Sequence, residues 1–177
     1  MKGVVFTQFS EMVEGSFGLE TLDKIIVKSG ASGSYTAIGT YPHTEMVDLV
    51  VALSQETSTP IPDLLEAFGK YLFHAFTEMY PVFFENPKGP FDFLSNVQAY
   101  IHAEVLKIYP SAQLPTIETE QVSDAQMKVH YNSERSMSDL ALGLMKGCME
   151  HFETEAIIEK TETDETGENV VFVITKQ

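Results

Sequence analysis

The sequence predicts an α+β domain, with an N-terminal helical lobe followed by a four-stranded antiparallel sheet that has one inserted helix. Apolar residues recur at helical spacing through the first two-thirds of the chain. In the last third they alternate with polar residues, as in strands with one buried face. The 177 residues, 44% of them hydrophobic, suffice for one core. We expect a single domain over residues 1–177, with the helical lobe over about 1–60 and the remaining helices and the sheet over about 61–177.

Helical spacing predicts four helices in the first half of the chain. The first covers residues near 3–18 and the second Thr21–Ser29, before a Gly- and Ser-rich loop over Gly30–Tyr41. Thr44 is the expected N-cap of the third helix, which leaves His43 in the loop. The fourth helix opens at a proline, because proline is tolerated in a first turn. Its apolar stripe consists of Leu65, Phe68, Leu72, Phe76 and Met79.

The second half predicts one long helix and then strands around a shorter helix. The long helix starts at Phe91 or Phe93 and runs to about Tyr109, before a proline. Ser136 or Ser138 is the expected cap of the shorter helix. The strand segments, which share alternation or β-branched composition, are Leu114–Glu120, Gln126–Asn132, Ala156–Lys160 and Asn169–Ile174.

The composition argues against nucleic-acid and membrane binding. The formal net charge is -15, with 26 acidic and 11 basic residues, so the surface repels phosphate backbones and anionic headgroups. No apolar run approaches the roughly 18 residues of a membrane span. The single cysteine, Cys148, excludes an internal disulfide, and the first residues turn polar at Thr7, too early for a signal peptide. We expect a cytoplasmic protein.

His102 is the one of five histidines that periodicity places beside a predicted apolar stripe. That stripe consists of Leu94, Val97, Ile101, Val105 and Ile108. From its edge the imidazole can point into a cavity at the border of the core. No second ligand lies at suitable spacing, which argues against a structural zinc site with its roughly four ligands. A lone histidine in apolar surroundings fits either a hydrogen-bonded structural residue or the proximal ligand of a haem, whose porphyrin supplies the other bonds.

Three hydrogen-bond donors follow on one predicted strand. Tyr131, Ser133 and Arg135 alternate along the chain, and the two-residue period of a strand would place their side chains on one face. Tyr and Ser offer hydroxyls, and Arg offers a planar fork that matches a carboxylate. The set either holds an anionic group, such as the propionates of a haem, or marks a strand that runs from core to solvent.

Two other classes of function stay open on these residues. A haem-free module could hold an apolar small molecule in the same cavity. An enzyme could use His102 as general base with Tyr131 or Arg135 as electrophile. The sequence offers no identifiable nucleophile or second carboxylate for such an enzyme.

Together these residues resemble the H-NOX family, the bacterial relatives of the haem domain of soluble guanylate cyclase. The similarity covers nearly the whole chain. It rests on Met1–Gly3, Pro62–Leu65, Phe68–Leu72, Ile101-His102, Tyr109–Pro115 and the triplet Tyr131, Ser133 and Arg135. The resemblance implies a sensor and not an enzyme, with haem b (iron protoporphyrin IX) between the helical lobe and the rest of the chain.

The resemblance also implies a role for each site residue. His102 is implied to be the proximal iron ligand, and the triplet to hold the propionates. Pro115 is implied to press on the porphyrin and bend it. The remaining residues implied to line the haem are Ile101, Val5, Phe9, Leu72, Phe76, Leu140, Leu144 and Cys148.

The choice of gas is implied at Leu140. Relatives that hold dioxygen stably have a tyrosine five residues beyond the arginine of the triplet, and this chain has Leu140 there. Bound dioxygen gains from a hydrogen-bond donor, whereas nitric oxide binds ferrous iron without one. The resemblance therefore implies that nitric oxide and carbon monoxide bind and that dioxygen is excluded. It also implies a separately encoded partner, a histidine kinase or a cyclic-di-GMP-metabolising enzyme.

Overall fold

The computed structural model describes every residue from Met1 to Gln177 and confirms the predicted helical lobe and antiparallel sheet. The helices are α1 (Gly3–Phe17), α2 (Leu19–Ser29), α3 (His43–Thr57), α4 (Ile61–Met79), α5 (Pro90–Asn96), α6 (His102–Ile108) and α7 (Ser138–His151). A short 3-10 turn covers Pro81–Phe83 and a π-helical segment covers Val97–Ile101. The strands are β1 (Thr116–Gln121), β2 (Gln126–Asn132), β3 (Ala156–Thr163) and β4 (Asn169–Lys176). None of the helices combines the length and hydropathy that a bilayer crossing requires.

The four strands form one antiparallel sheet in the order β1-β2-β4-β3. β2 pairs with β4 along its whole length. As predicted, α7 is inserted in the chain between β2 and β3. Alternate residues of the two central strands are buried: Met127, Val129 and Tyr131 on β2, and Val170, Phe172 and Ile174 on β4. The sheet therefore has one core-facing side, which is the pattern that its sequence alternation predicts.

The buried side chains form two cores. The first fills the helical lobe between α1, α2, α3 and the first half of α4. The second lies between the sheet, α5 and the second half of α7. α4 contributes Phe68 and Leu72 to the first core and Phe73 to the second, and Leu144 on α7 packs against both. These two helices therefore join the lobes.

α4 and α7 approach each other closely at two glycines. A Cβ atom on Gly69 would lie 2.3 Å from the carbonyl oxygen of Leu140, and one on Gly143 would lie 2.1 Å from that of Glu66. Any larger side chain would push the two backbones apart. An ion pair between Lys146 Nζ and Glu66 Oε1, at 2.6 Å, flanks the contact.

The two predicted helix caps are wrong. α3 begins at His43, directly after Pro42, so His43 is helical and Thr44 lies inside the first turn. The start of α3 is instead fixed by a tertiary contact, because the Glu45 carboxylate accepts hydrogen bonds from the Ser32 amide and the Tyr35 hydroxyl. At the start of α7 no side chain caps the helix. The Ser138 hydroxyl accepts a hydrogen bond from Lys160 of β3.

Element ends also differ. β1 begins at Thr116, two residues after the predicted Leu114, and β3 extends to Thr163, beyond the predicted Lys160. α2 begins at Leu19, two residues before the predicted start at Thr21. Met79 and Ile108, the last members of two predicted apolar stripes, are 38% and 62% exposed. Both lie in the last turn of a helix, beyond the reach of the core, so periodicity alone overestimates their burial.

We expect Gly143→Ala to destabilise the protein, because its methyl group has no room beside the Glu66 carbonyl. Overpacking of this kind costs about 1–3 kcal/mol of unfolding free energy, which urea denaturation followed by circular dichroism would measure. Gly15→Ala is the matched control, since Gly15 is helical, exposed and has nothing within 4 Å of a Cβ position. The control should gain about 0.5–1 kcal/mol. Equal effects of the two substitutions would contradict the close α4–α7 contact.

Candidate functional site

His102 stands directly after a π-helical turn. α5, the segment Val97–Ile101 and α6 follow one another without a break, and the His102 amide donates to the Val97 carbonyl five residues back. π turns are rare and occur often at functional sites. The His102 side chain is half-buried, and no group of three or more His, Cys, Asp or Glu residues lies close enough to hold a metal ion. A metal at His102 would therefore need ligands from outside the protein.

The His102 imidazole has one polar contact. Its Nδ1 lies 3.3 Å from Oε1 of Gln98, one helical turn earlier, and its Nε2 has no protein partner. Burial lowers the pKa of His102 from an ordinary value of about 6.5, so the ring is neutral at pH 7. A neutral ring with an unpartnered nitrogen can act as a metal ligand.

The triplet lies at the end of β2, although not in the predicted conformation. The strand ends at Asn132, and Ser133 to Ser136 form a turn in which the Ser136 amide donates to the Ser133 carbonyl at 3.1 Å. The prediction that Ser133 and Arg135 continue the strand is therefore wrong. The turn nevertheless keeps all three side chains together. Burial raises the pKa of Tyr131, and the nearby charge of Arg135 partly offsets that rise.

Arg135 is a cation without an acidic partner. Its Nη2 donates to the carbonyl oxygen of Gln113 at 2.6 Å, and none of the ion pairs in the structure includes it. The side chain is half-buried, and burial lowers its pKa, although a guanidinium stays protonated in proteins. A partly buried, uncompensated charge is unfavourable. The arrangement thus favours an anionic group beside Arg135.

The apolar residues predicted to line the site pack mostly against the first core. The side chains of Val5, Phe76, Leu140 and Leu144 are partly buried and pack against the first core, whereas Ile101 packs against the second. Phe9 and Leu72 are buried behind them, at 0% and 2% exposure. None of these side chains carries a hydrogen-bond donor.

Pro115 and Cys148 take different places. Pro115 is half-buried in the segment between α6 and β1, two residues after the carbonyl that binds Arg135. Cys148 is fully buried in the second core, with its Sγ 4.0 Å from the Pro90 carbonyl oxygen. The structure therefore places Cys148 with the sheet-side residues, two turns along α7 from Leu140.

The polar and apolar side chains of the site together fit a haem. One imidazole nitrogen is free for iron, and two hydroxyls and one guanidinium are suited to carboxylates. The half-buried apolar side chains suit a porphyrin face. A metal bound by protein ligands alone does not fit, because His102 is the only ligand that the site offers.

Sequence reasoning missed two contacts of the site. Gln98 lies four residues before His102, a spacing at which helical side chains meet, and that signal could have identified it. The Gln113 carbonyl carries no sequence signal, because any residue could supply it.

Comparison with known proteins gives consistent matches over the whole chain. The family model described as Haem-NO-binding matches residues 2–160. The Fe(II) unliganded H-NOX protein from K. algicida is 40% identical, with a TM-score of 0.94 over 100% of this chain and 97% of that one. The H-NOX from Shewanella woodyi, solved bound to IWP-051 in the Fe(II)CO state, is 39% identical, with a TM-score of 0.85 over 100% and 95%.

A more distant structure has the same fold. The H-NOX protein from S. oneidensis, in the Fe(II)NO state, is 25% identical, with a TM-score of 0.93 over 100% of this chain and 99% of that one. No curated protein matches this chain. The fold and the chain length are thus shared with solved H-NOX proteins.

We expect the Cys148 thiol to be unreactive in the folded protein, because burial raises its pKa and keeps it in the thiol form. Ellman's reagent at pH 8 should release no measurable chromophore from native protein, and one equivalent after addition of guanidinium chloride. Rapid reaction of native protein would mean that Cys148 reaches solvent, against the burial described above.

Proposed function

The chain belongs to the H-NOX family, whose domains are haem-binding gas sensors, and we propose that it senses nitric oxide at a haem b held by His102. One observation carries the proposal. The site pairs a single unpartnered imidazole nitrogen with a half-buried guanidinium that has no acidic partner. Haem needs both of these groups, one for its iron and one for its propionates.

Each polar residue then has a defined task. His102 would ligate the iron of a bound haem through Nε2, while Tyr131, Ser133 and Arg135 would bind its propionates. Each charge-assisted contact contributes roughly 1.5–3 kcal/mol where water is excluded. Pro115 would press on the porphyrin. A haem held in this way would supply a ferrous iron that can bind a diatomic gas.

The apolar residues decide which gas is held. Leu140 and Leu144 on α7, together with Val5 on α1, present no hydrogen-bond donor. Dioxygen is stabilised by such a donor, whereas nitric oxide and carbon monoxide do without one. These side chains therefore favour binding of nitric oxide and carbon monoxide and exclusion of dioxygen.

We propose that a movement of α6 transmits the signal to a partner protein. His102 on α6 and the neighbouring Pro115 would both contact a bound haem, so a change in those contacts would move α6 relative to the helical lobe. A partner responds if it binds the two arrangements with different affinity. We propose a histidine kinase or a cyclic-di-GMP-metabolising enzyme as that partner. A cytoplasmic location stays a prediction from the sequence.

The absorption spectrum of the purified, reduced protein tests this function. We expect a five-coordinate ferrous haem that does not change in air and shifts its Soret band on adding nitric oxide or carbon monoxide. A stable dioxygen complex would contradict the assigned role of Leu140. Absence of any haem band, even after reconstitution with haem, would favour the alternative of a haem-free module for an apolar small molecule.

We expect His102→Gly to lose the ligand of the iron while the fold persists. Haem should dissociate readily from this variant and be retained when imidazole is added, because free imidazole can occupy the vacated position. His74→Gly is the matched control, since His74 is an exposed helical histidine on α4. An unchanged spectrum of His102→Gly without imidazole would exclude His102 as the ligand.

A further inference from the structure

We propose that Gln98 is a positioning residue that fixes the proton of His102 on Nδ1 and so keeps Nε2 free for the iron. This inference rests on the proposed role of His102 as iron ligand. Gln98 lies in the π-helical turn that precedes His102, and its side chain is exposed. Its hydrogen bonds are to His102 and to the backbone of β1, so any effect on the iron would pass through His102.

The Gln98 amide oxygen accepts two hydrogen bonds. The backbone amide of Ile117, in β1, donates to Oε1 at 2.9 Å, and Nδ1 of His102 lies 3.3 Å from the same atom. A carbonyl oxygen has two lone pairs and can accept both. One side chain thus joins the helix that carries His102 to the edge strand of the sheet.

The Ile117 amide decides how the Gln98 side chain is oriented. A backbone N–H can only donate, so it requires an oxygen opposite it. If the Gln98 amide were turned over, its NH₂ group would face the Ile117 N–H, and two donors would oppose each other. The oxygen of Gln98 is therefore directed toward both neighbours.

The fixed oxygen in turn decides the tautomer of His102. An unprotonated Nδ1 would place its lone pair against that of Oε1, so the hydrogen bond requires a proton on Nδ1. A neutral imidazole has only one such proton. Nε2 is therefore left with its lone pair exposed, which is the form that a metal binds.

The strength of the acceptor at Nδ1 also affects the bond at Nε2. A hydrogen bond from the far nitrogen of a ligating histidine orients the ring and raises its basicity. Replacing the Gln98 amide by a carboxylate should strengthen the bond from His102 to iron, and removing the acceptor should weaken it. β1 also carries the partner of Tyr131, since Ile117 lies opposite Tyr131 in the sheet. Gln98 therefore connects the iron ligand to the strand beside the triplet.

Two substitutions separate these effects. Gln98→Leu removes the acceptor, and Gln98→Glu replaces it with a charged one that the Ile117 amide can still reach. Thr119→Val is the matched control, because it removes another side-chain contact between β1 and the α5 helix, that of Thr119 Oγ1 with Ser95 Oγ at 3.5 Å. That contact does not involve His102. Gln98 and Thr119 are in exposed or half-buried positions, so all three variants should fold.

The readouts are spectroscopic. In the reduced, haem-containing full-length chain, the iron–histidine stretching frequency from resonance Raman should fall in Gln98→Leu, rise in Gln98→Glu and stay unchanged in Thr119→Val. In the same chain without haem, ¹⁵N NMR should show His102 protonated on Nδ1 in the wild type and a mixture of tautomers in Gln98→Leu.

The two readouts distinguish the two proposals. If the wild type binds no haem at His102, the proposed function fails, while the NMR tautomer still tests Gln98. If haem binds through His102 but both Gln98 variants keep the wild-type stretching frequency and tautomer, the role of Gln98 is wrong and the proposed function stands.

Discussion

The contact between α4 and α7 at Gly69 and Gly143 is the constraint on which the rest of the structure depends. Both helices pass through both cores, so the separation of their backbones sets the distance between the helical lobe and the sheet. Close packing leaves no slack at such a contact. Leu140 and Leu144 lie on α7 and Phe76 on α4, and this one contact therefore determines where the apolar residues of the site stand.

The net negative charge of the protein disfavours binding of an anionic ligand such as haem. A net charge of -15 produces a negative field that raises the cost of bringing in two propionates. Arg135, the only arginine, supplies the local positive charge, and its lack of an acidic partner leaves that charge available. Burial of apolar surface can add affinity against this field, because the hydrophobic effect does not depend on net charge. The half-buried apolar residues of the site suit that role.

Periodicity was sufficient to predict the elements that depend on local pattern. The bounds of β2, Gln126–Asn132, and the burial of Met127 and Val129 follow from alternation alone. The exposed place of His74 and the half-buried place of His102 follow from helical spacing in the same way. Features that depend on contacts between distant segments could not be predicted from local sequence patterns. The anchor of α3 comes from Tyr35 and Ser32, and the turn at Ser133 to Ser136 ends a strand that alternation would have continued.

The π-helical turn before His102 has a consequence for chain length. A π turn contains one more residue than an α-helical turn that joins the same two ends. If Val97–Ile101 became α-helical at the present length, every residue after it would rotate by about 100° around the helix axis, and the His102 side chain would point in another direction. A chain that lacked one residue there could be α-helical throughout and keep His102 where it is. The direction of the His102 side chain thus depends on the number of residues between Pro90 and His102, and not on their identity alone.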